Sequence, residues 1–158
     1  MSNGIFAQEK ETKHELGLKF ETPYSRLSPG LTYQYHFSPK FRLSTELEYR
    51  GYKLSTGGWK YGNVGIDIQR LWQMNNGVNF YVGLGANYGL AQNYYLGNKT
   101  FHQTLSFVPQ LGVEYDFNRF GIPLILGTYT KVHYQRWLES PGYGRTTFNL
   151  GFNLKYSF

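Results

Sequence analysis

The chain ends TTFNLGFNLKYSF, from Thr146 to Phe158. Phe148, Leu150, Phe152, Leu154, Tyr156 and Phe158 fall on every second position, and Asn149, Gly151, Asn153, Lys155 and Ser157 fall between them. Side chains alternate faces along a strand, so a period of two makes one face wholly apolar and the other small or polar. A half-buried strand of a soluble protein could carry the same alternation. Its polar face, however, would hold long solvated side chains, whereas this one holds Gly and Asn.

The same alternation recurs upstream. It predicts strands over about 13–21 (Leu16, Leu18 and Phe20 on one face), 31–37 and 41–52. Further strands are predicted around Val64, Ile66 and Ile68, over 78–90 and 105–117, and from Ile122 to about His133. Loops are expected at 22–30, 53–60, 91–103 and 135–145, and tight turns at 38–40, 74–77 and 118–121, where Pro, Gly and Asn gather. About eight strands thus alternate long and short connections. No helical period interrupts them.

Composition agrees with barrel strands and excludes a helical membrane protein. Aromatic residues make up 19% of the chain, with 15 Tyr, 12 Phe and 3 Trp, and they are accompanied by 19 Gly. Strands that need interfacial rings and closely curved backbone use that mixture. A mean hydropathy of -0.48 fits too, because only alternate residues of a barrel strand meet lipid. No run approaches the roughly 18 apolar residues of a membrane-spanning helix. Cys is absent, which excludes a disulfide framework and a Cys-ligated metal.

A terminal strand that stops on Phe158 resembles the signal of Gram-negative outer-membrane barrels, and the whole pattern resembles the small OmpA/OmpX-type barrels. The resemblance implies an all-β, eight-stranded antiparallel up-and-down transmembrane β-barrel over 11–158 in the bacterial outer membrane. It also implies insertion by the barrel assembly machinery, which reads the last strand. Residues 1–10 are expected to be the tail of a signal peptide or a disordered N-terminus. A lipocalin-like soluble barrel would have the same strand number but would turn the apolar face inward.

The polar face argues against that alternative. It carries Glu15, Glu21, Glu46, Glu48, Asp67, Glu114 and Asp116, with Lys19, Arg42, Arg50, Lys131 and Lys155 as partners, interleaved with glycine. Turned inward, the glycines make room for these side chains. Eight strands leave no space for a water channel, so the charges should pair into a plug. Two aromatic belts are expected at the membrane interfaces, marked by Phe37, Trp72 and Phe158 at the short-turn end and by Trp59, Trp137 and Tyr143 at the long-loop end, where Tyr61 also falls.

Chemistry is expected at the long-loop end. Arg26, Lys53, Lys60, Lys99, Arg136 and Arg145 would meet lipopolysaccharide phosphates as charge-assisted donors, and four long loops would contact surface molecules or partner proteins. The segment KVHYQRW, around His133, resembles the His-Tyr-Ser segment of lipid A deacylase barrels. His133 and Tyr134 match, Gln135 stands in the serine's place, and the nearest acid is Glu139 in the following loop. The main reading is therefore a non-enzymatic surface barrel, and a deacylase-like enzyme using His133 is the alternative. His14, His36 and His102 lie on separate elements without metal-ligand spacing, so no metal is expected. No glycine-rich phosphate loop points to a cofactor, and the rings on the lipid face leave no platform for nucleic acid.

Overall fold

In a computed structural model, the described residues are 14–22, 27–53, 57–95, 98–140, 142 and 144–158, with the side chains of 52 and 53 left out. Eight antiparallel strands close into a ring in chain order. They are β1 (His14–Glu21), β2 (Ser28–Ser38), β3 (Phe41–Lys53), β4 (Gly57–Gln73), β5 (Val78–Tyr95), β6 (Asn98–Asp116), β7 (Leu124–Trp137) and β8 (Gly144–Ser157). β8 returns to β1, and the amide of Phe158 donates to the carbonyl of His14 at 3.0 Å.

The register fixes the shape. A row of partners runs from Leu16 through Tyr33, Thr45, Ile66, Ala86, Phe107 and Tyr134 to Thr146. Yet the partner of Leu16 on β8 is Tyr156, ten residues from Thr146. Eight strands with a stagger of ten residues tilt by about 41° and close at a radius of about 8 Å, given ~3.3 Å per residue and ~4.8 Å between strands. Such a ring is filled by its own side chains.

The faces are inverted relative to a soluble protein. Leu16, Leu18, Leu47, Ile66, Leu84, Leu111, Leu126, Phe148 and Leu150 are exposed, whereas Arg42, Lys19, Lys155, Glu21 and Glu114 are among the largest fully buried side chains. An apolar exterior around a charged interior has lipid as its solvent, so this is a transmembrane barrel and not a lipocalin-like carrier.

Glycines shape the inside in two ways. A Cβ on Gly65 would lie 2.7 Å from Glu46 Cγ and 2.5 Å from Asn87 Oδ1, so its absence gives the carboxylate room, as expected. At Gly112, a Cβ would meet the Tyr81 ring at 2.5 Å, and the same relation holds between Gly151 and Tyr129. Tyr81 faces Gly112, and Tyr129 faces Gly151, across their strand pairs. The rings lie over bare backbone and cover it.

Two expected loops are corrected. β3 and β4 stay paired up to Lys53 and Gly58, and β5 and β6 up to Tyr95 and Asn98, so most of 53–60 and 91–103 is strand. β4, β5 and β6 consequently rise above the rest of the ring at the end opposite Phe158, here called the far end. At the near end, the Met74–Gly77 turn uses Gly77 at φ 85°. Asp116, expected in the lumen, instead caps a 3₁₀ turn at Phe117–Phe120, where its carboxylate accepts from the Asn118 amide at 2.8 Å. Residues 1–10 lie outside the described residues.

Candidate functional site in and around the lumen

The alternation places the charged side chains inside, and the stagger decides which of them meet. In the near-end layer, the Arg42 guanidinium donates to both oxygens of Glu114 at 2.7 and 2.9 Å and to Gln69 Oε1 at 2.5 Å. Lys155 Nζ donates to Glu15 at 2.5 Å, Gln34 at 2.6 Å and Glu114 at 2.7 Å, which uses all three of its protons. His36 Nε2 lies 2.5 Å from Glu15. Two acids and two bases balance here, and the ring of Tyr81 lies 4.7 Å from the Arg42 guanidinium.

A second layer of paired charges lies about 10 Å further along the axis, given the rise per residue and the tilt. Lys19 Nζ bridges Glu21 at 2.7 Å and Glu46 at 2.6 Å. Lys131 also pairs with Glu46 and lies 3.5 Å from Glu21. Asn87 and Asn149 donate to Glu46 and Glu21 at 3.0 and 2.9 Å. Between the layers remains a cavity of about 10 Å³, lined by residues including Gln34, Gln69, Gln110 and Asn153. The lumen is plugged, with room at that point for one water.

The far-end layer is built differently. Glu48, Asn63 and His133 are buried there, and Arg50 is half-buried with its guanidinium 4.6 Å from the Tyr61 ring. Tyr61, expected in a lipid-facing belt, is buried inside and lies 3.3 Å from Thr104 Oγ1 through its hydroxyl. Trp59 stacks on Tyr61, and Trp137 packs edge-on against His102 at 4.6 Å. Register puts Trp137 beside Thr104, an inward residue, so Trp59 and Trp137 line the far mouth rather than the lipid belt. Exposed tyrosines take that outward position instead: Tyr49, Tyr88 and Tyr134. Their place in the alternation was the signal for this, and it outranks nearness to a loop. At the near end, Phe37, Trp72 and Phe158 are exposed on the outside. Tyr143 lies outside the described residues.

The expected basic residues fall on two sides of the wall. Lys60 and Arg136 are exposed and outward-facing, and Lys99 is exposed above them on β6. Arg145 shares the inward alternation of Thr147 and Asn149. Arg26 and the side chain of Lys53 lie outside the described residues. Along β4, the outward positions from Arg70 to Lys60 hold only Ile68, Ile66, Val64 and Gly62 between two cations. Ten residues at ~3.3 Å, tilted by ~41°, rise about 25 Å, the height of the apolar band of a membrane barrel.

His133 and Glu139 are not brought together as a pair. His133 is sealed in the lumen with Glu21 Oε2 at 3.9 Å, whereas Glu139 is exposed at the rim and accepts from the Gln103 amide at 2.8 Å. Among the described residues, no group of three or more His, Cys, Asp or Glu is placed to hold a metal.

No protein-family model matches the chain, and no curated protein does. Solved structures do. The N-terminal β-barrel domain of Pseudomonas aeruginosa OprF, 14% identical, superposes with a TM-score of 0.70 over 93% of this chain and 98% of that one. Neisserial surface protein A, also 14% identical, gives 0.66 over 92% and 95%. Ail, the attachment invasion locus protein of Yersinia pestis, gives 0.63 at 14% identity over 92% and 97%, and it has also been solved with the heparin analogue sucrose octasulfate. At such identity the likeness is one of fold. What this chain shares with those proteins is the architecture of a small eight-stranded transmembrane β-barrel.

Proposed function

We propose that the protein is a non-enzymatic barrel of the bacterial outer membrane, closed to conduction, that presents a basic rim to the anionic outer leaflet. The observation that carries this reading is the outward face of β4, where about 25 Å of apolar wall separates Arg70 from Lys60. Arg136 stands at the level of Lys60 on the opposite side of the ring, and Lys99 rises above them. Lipopolysaccharide phosphates are matched to such donors. Arg26, Lys53 and Arg145 would add to the same field, and the raised far-end hairpins would contact surface molecules or partner proteins. Ail's complex with a sulfated sugar is a precedent for polyanion binding on this fold. Insertion through the barrel assembly machinery would use β8.

A deacylase-like activity is not favoured. Gln135 replaces the nucleophile, and Glu139 is held away from His133 by the Gln103 amide. The test is lipopolysaccharide retention by the protein purified from outer membranes. Lys60→Gln with Arg136→Gln should lower it several-fold with folding intact, and unchanged retention would refute the rim reading. Lipid A mass spectrometry with parent and His133→Ala protein checks the enzymatic alternative, for which a His133-dependent loss of an acyl chain would be decisive.

A further inference from the structure

The ladder between β6 and β7 is interrupted in its middle. Partners run from Thr104 and Trp137 to Phe107 and Tyr134 and resume at Gln110 and Lys131 in the same register, so no bulge absorbs the break. On its other side, β6 pairs with β5 straight through Pro109, whose partner is Leu84. Backbone groups of successive strand residues turn to opposite neighbours. Just above β7, the Leu138 amide donates to the Gln103 carbonyl at 3.0 Å, so odd residues of β6 face even residues of β7. Pro109 and Val132 therefore stand where two residues exchange a pair of N–H···O bonds, and proline has no N–H to give. The Val132 carbonyl loses its ladder donor through the covalent chemistry of its neighbour. No solvent molecule would restore a strand-to-strand bond there.

Depth, cross-links and lining make this gap more than one lost bond. Pro109 is the centre of the outward run Leu105, Phe107, Pro109, Leu111 and Val113, which puts it near the midplane of the ~25 Å apolar band. The one other irregular ladder among the described residues, at His36–Ser38, lies at a near-end turn. Inside the lumen, the charges of the two strands are tied elsewhere. Glu114 on β6 reaches Arg42 and Lys155, and Lys131 on β7 reaches Glu46 and Glu21. No side-chain hydrogen bond or ion pair among the described residues joins β6 to β7. Behind the gap stands Val108, 2% exposed, and the register carried across the break sets it opposite His133. The other buried aliphatic side chains, Leu71, Ile125 and Ala91, lie toward the two ends. A charge behind an open seam would face hydrocarbon at great cost, whereas a valine is at home there.

We propose that the wall opens laterally between β6 and β7 at Pro109, a seam through which the acyl chains of the bilayer reach Val108. This goes beyond the rim reading, and no residue of the basic rim takes part in it. The test uses the folded full chain in phosphatidylcholine bilayers, with Val108→Cys as the reporter in a protein that has no other thiol. Asn87→Cys, buried at about the same depth on the unbroken β5, is the control. N-phenylmaleimide, which dissolves in the bilayer, should label Val108→Cys about tenfold faster than the control, and a charged methanethiosulfonate should label neither. Adding Pro109→Ala supplies the missing N–H and should slow the labelling about tenfold, the worth of one net hydrogen bond. Without any thiol, the amides of Leu111 and Val132 should exchange hydrogen faster than those of the β4–β5 ladder and slow by the same factor in Pro109→Ala. Folding of each variant is checked by heat-modifiable gel migration. Equal labelling at the two sites, or rates that Pro109→Ala leaves unchanged, would overturn the proposal. Labelling of Val108→Cys by the charged reagent would overturn it too, because the approach would then be through the lumen.

Discussion

The near-end and far-end layers of the lumen are lined by the same residue types, yet they are put together on different principles. At the near end, Lys155 and Arg42 have a partner for every side that faces an acid, and Glu15 and Glu114 are held from two directions. At the far end, Glu48 has one amide donor, and His133 has a carboxylate 3.9 Å away and no hydrogen-bond partner for Nε2 among the described residues. Burial alone does not make a polar group structural. What matters is whether its neighbours were chosen to complete it.

That contrast can be broken by mutation. Arg42→Leu strips Glu114 and Gln69 of their guanidinium in a layer sealed from water, and the loss should be about 3–5 kcal/mol in urea unfolding in lipid. Adding Glu114→Leu should recover much of it, because the cost lies mainly in the stranded charge. If Arg42→Leu unfolds like the parent, the near-end layer is not structural. On the outside, Leu150→Arg puts a charge near the middle of the apolar band and should cost about 2–4 kcal/mol. Assembly as efficient as the parent's would contradict the assignment of faces. The smallest effect is expected for His133→Leu, which removes no hydrogen bond and should shift stability by about 1 kcal/mol or less. A loss comparable to that of Arg42→Leu would abolish the distinction between the layers.

Alternation made the strands and their faces legible in the sequence, down to the inward Tyr81 and Tyr129. It failed where strands leave lipid. Gln92, Lys99 and Gln103 are outward residues of β5 and β6, but above the membrane both faces of a strand are wet and the apolar signal stops while the hydrogen-bonded ladder continues. Hence 91–103 reads as a loop. The same cause misplaced Trp59 and Trp137, whose position near a chain reversal suggested a lipid belt although their parity pointed inward. Partnerships within the plug were not legible at all. The composition of the polar face named the acids and bases, but only the ten-residue stagger brings Glu15, Arg42, Glu114 and Lys155 to one level.

The near-end layer takes those four side chains from β1, β3, β6 and β8, so it spans almost the whole length of the chain. Lys155 arrives with the last strand. Without that strand, Glu15 and Glu114 share the guanidinium of Arg42. Docking of β8 supplies the missing cation in the same step that joins the Phe158 amide to His14. The layer is therefore a latch. It secures the ring where its two ends meet, so that joining the last strand to the first and completing the charge pairs are one and the same contact.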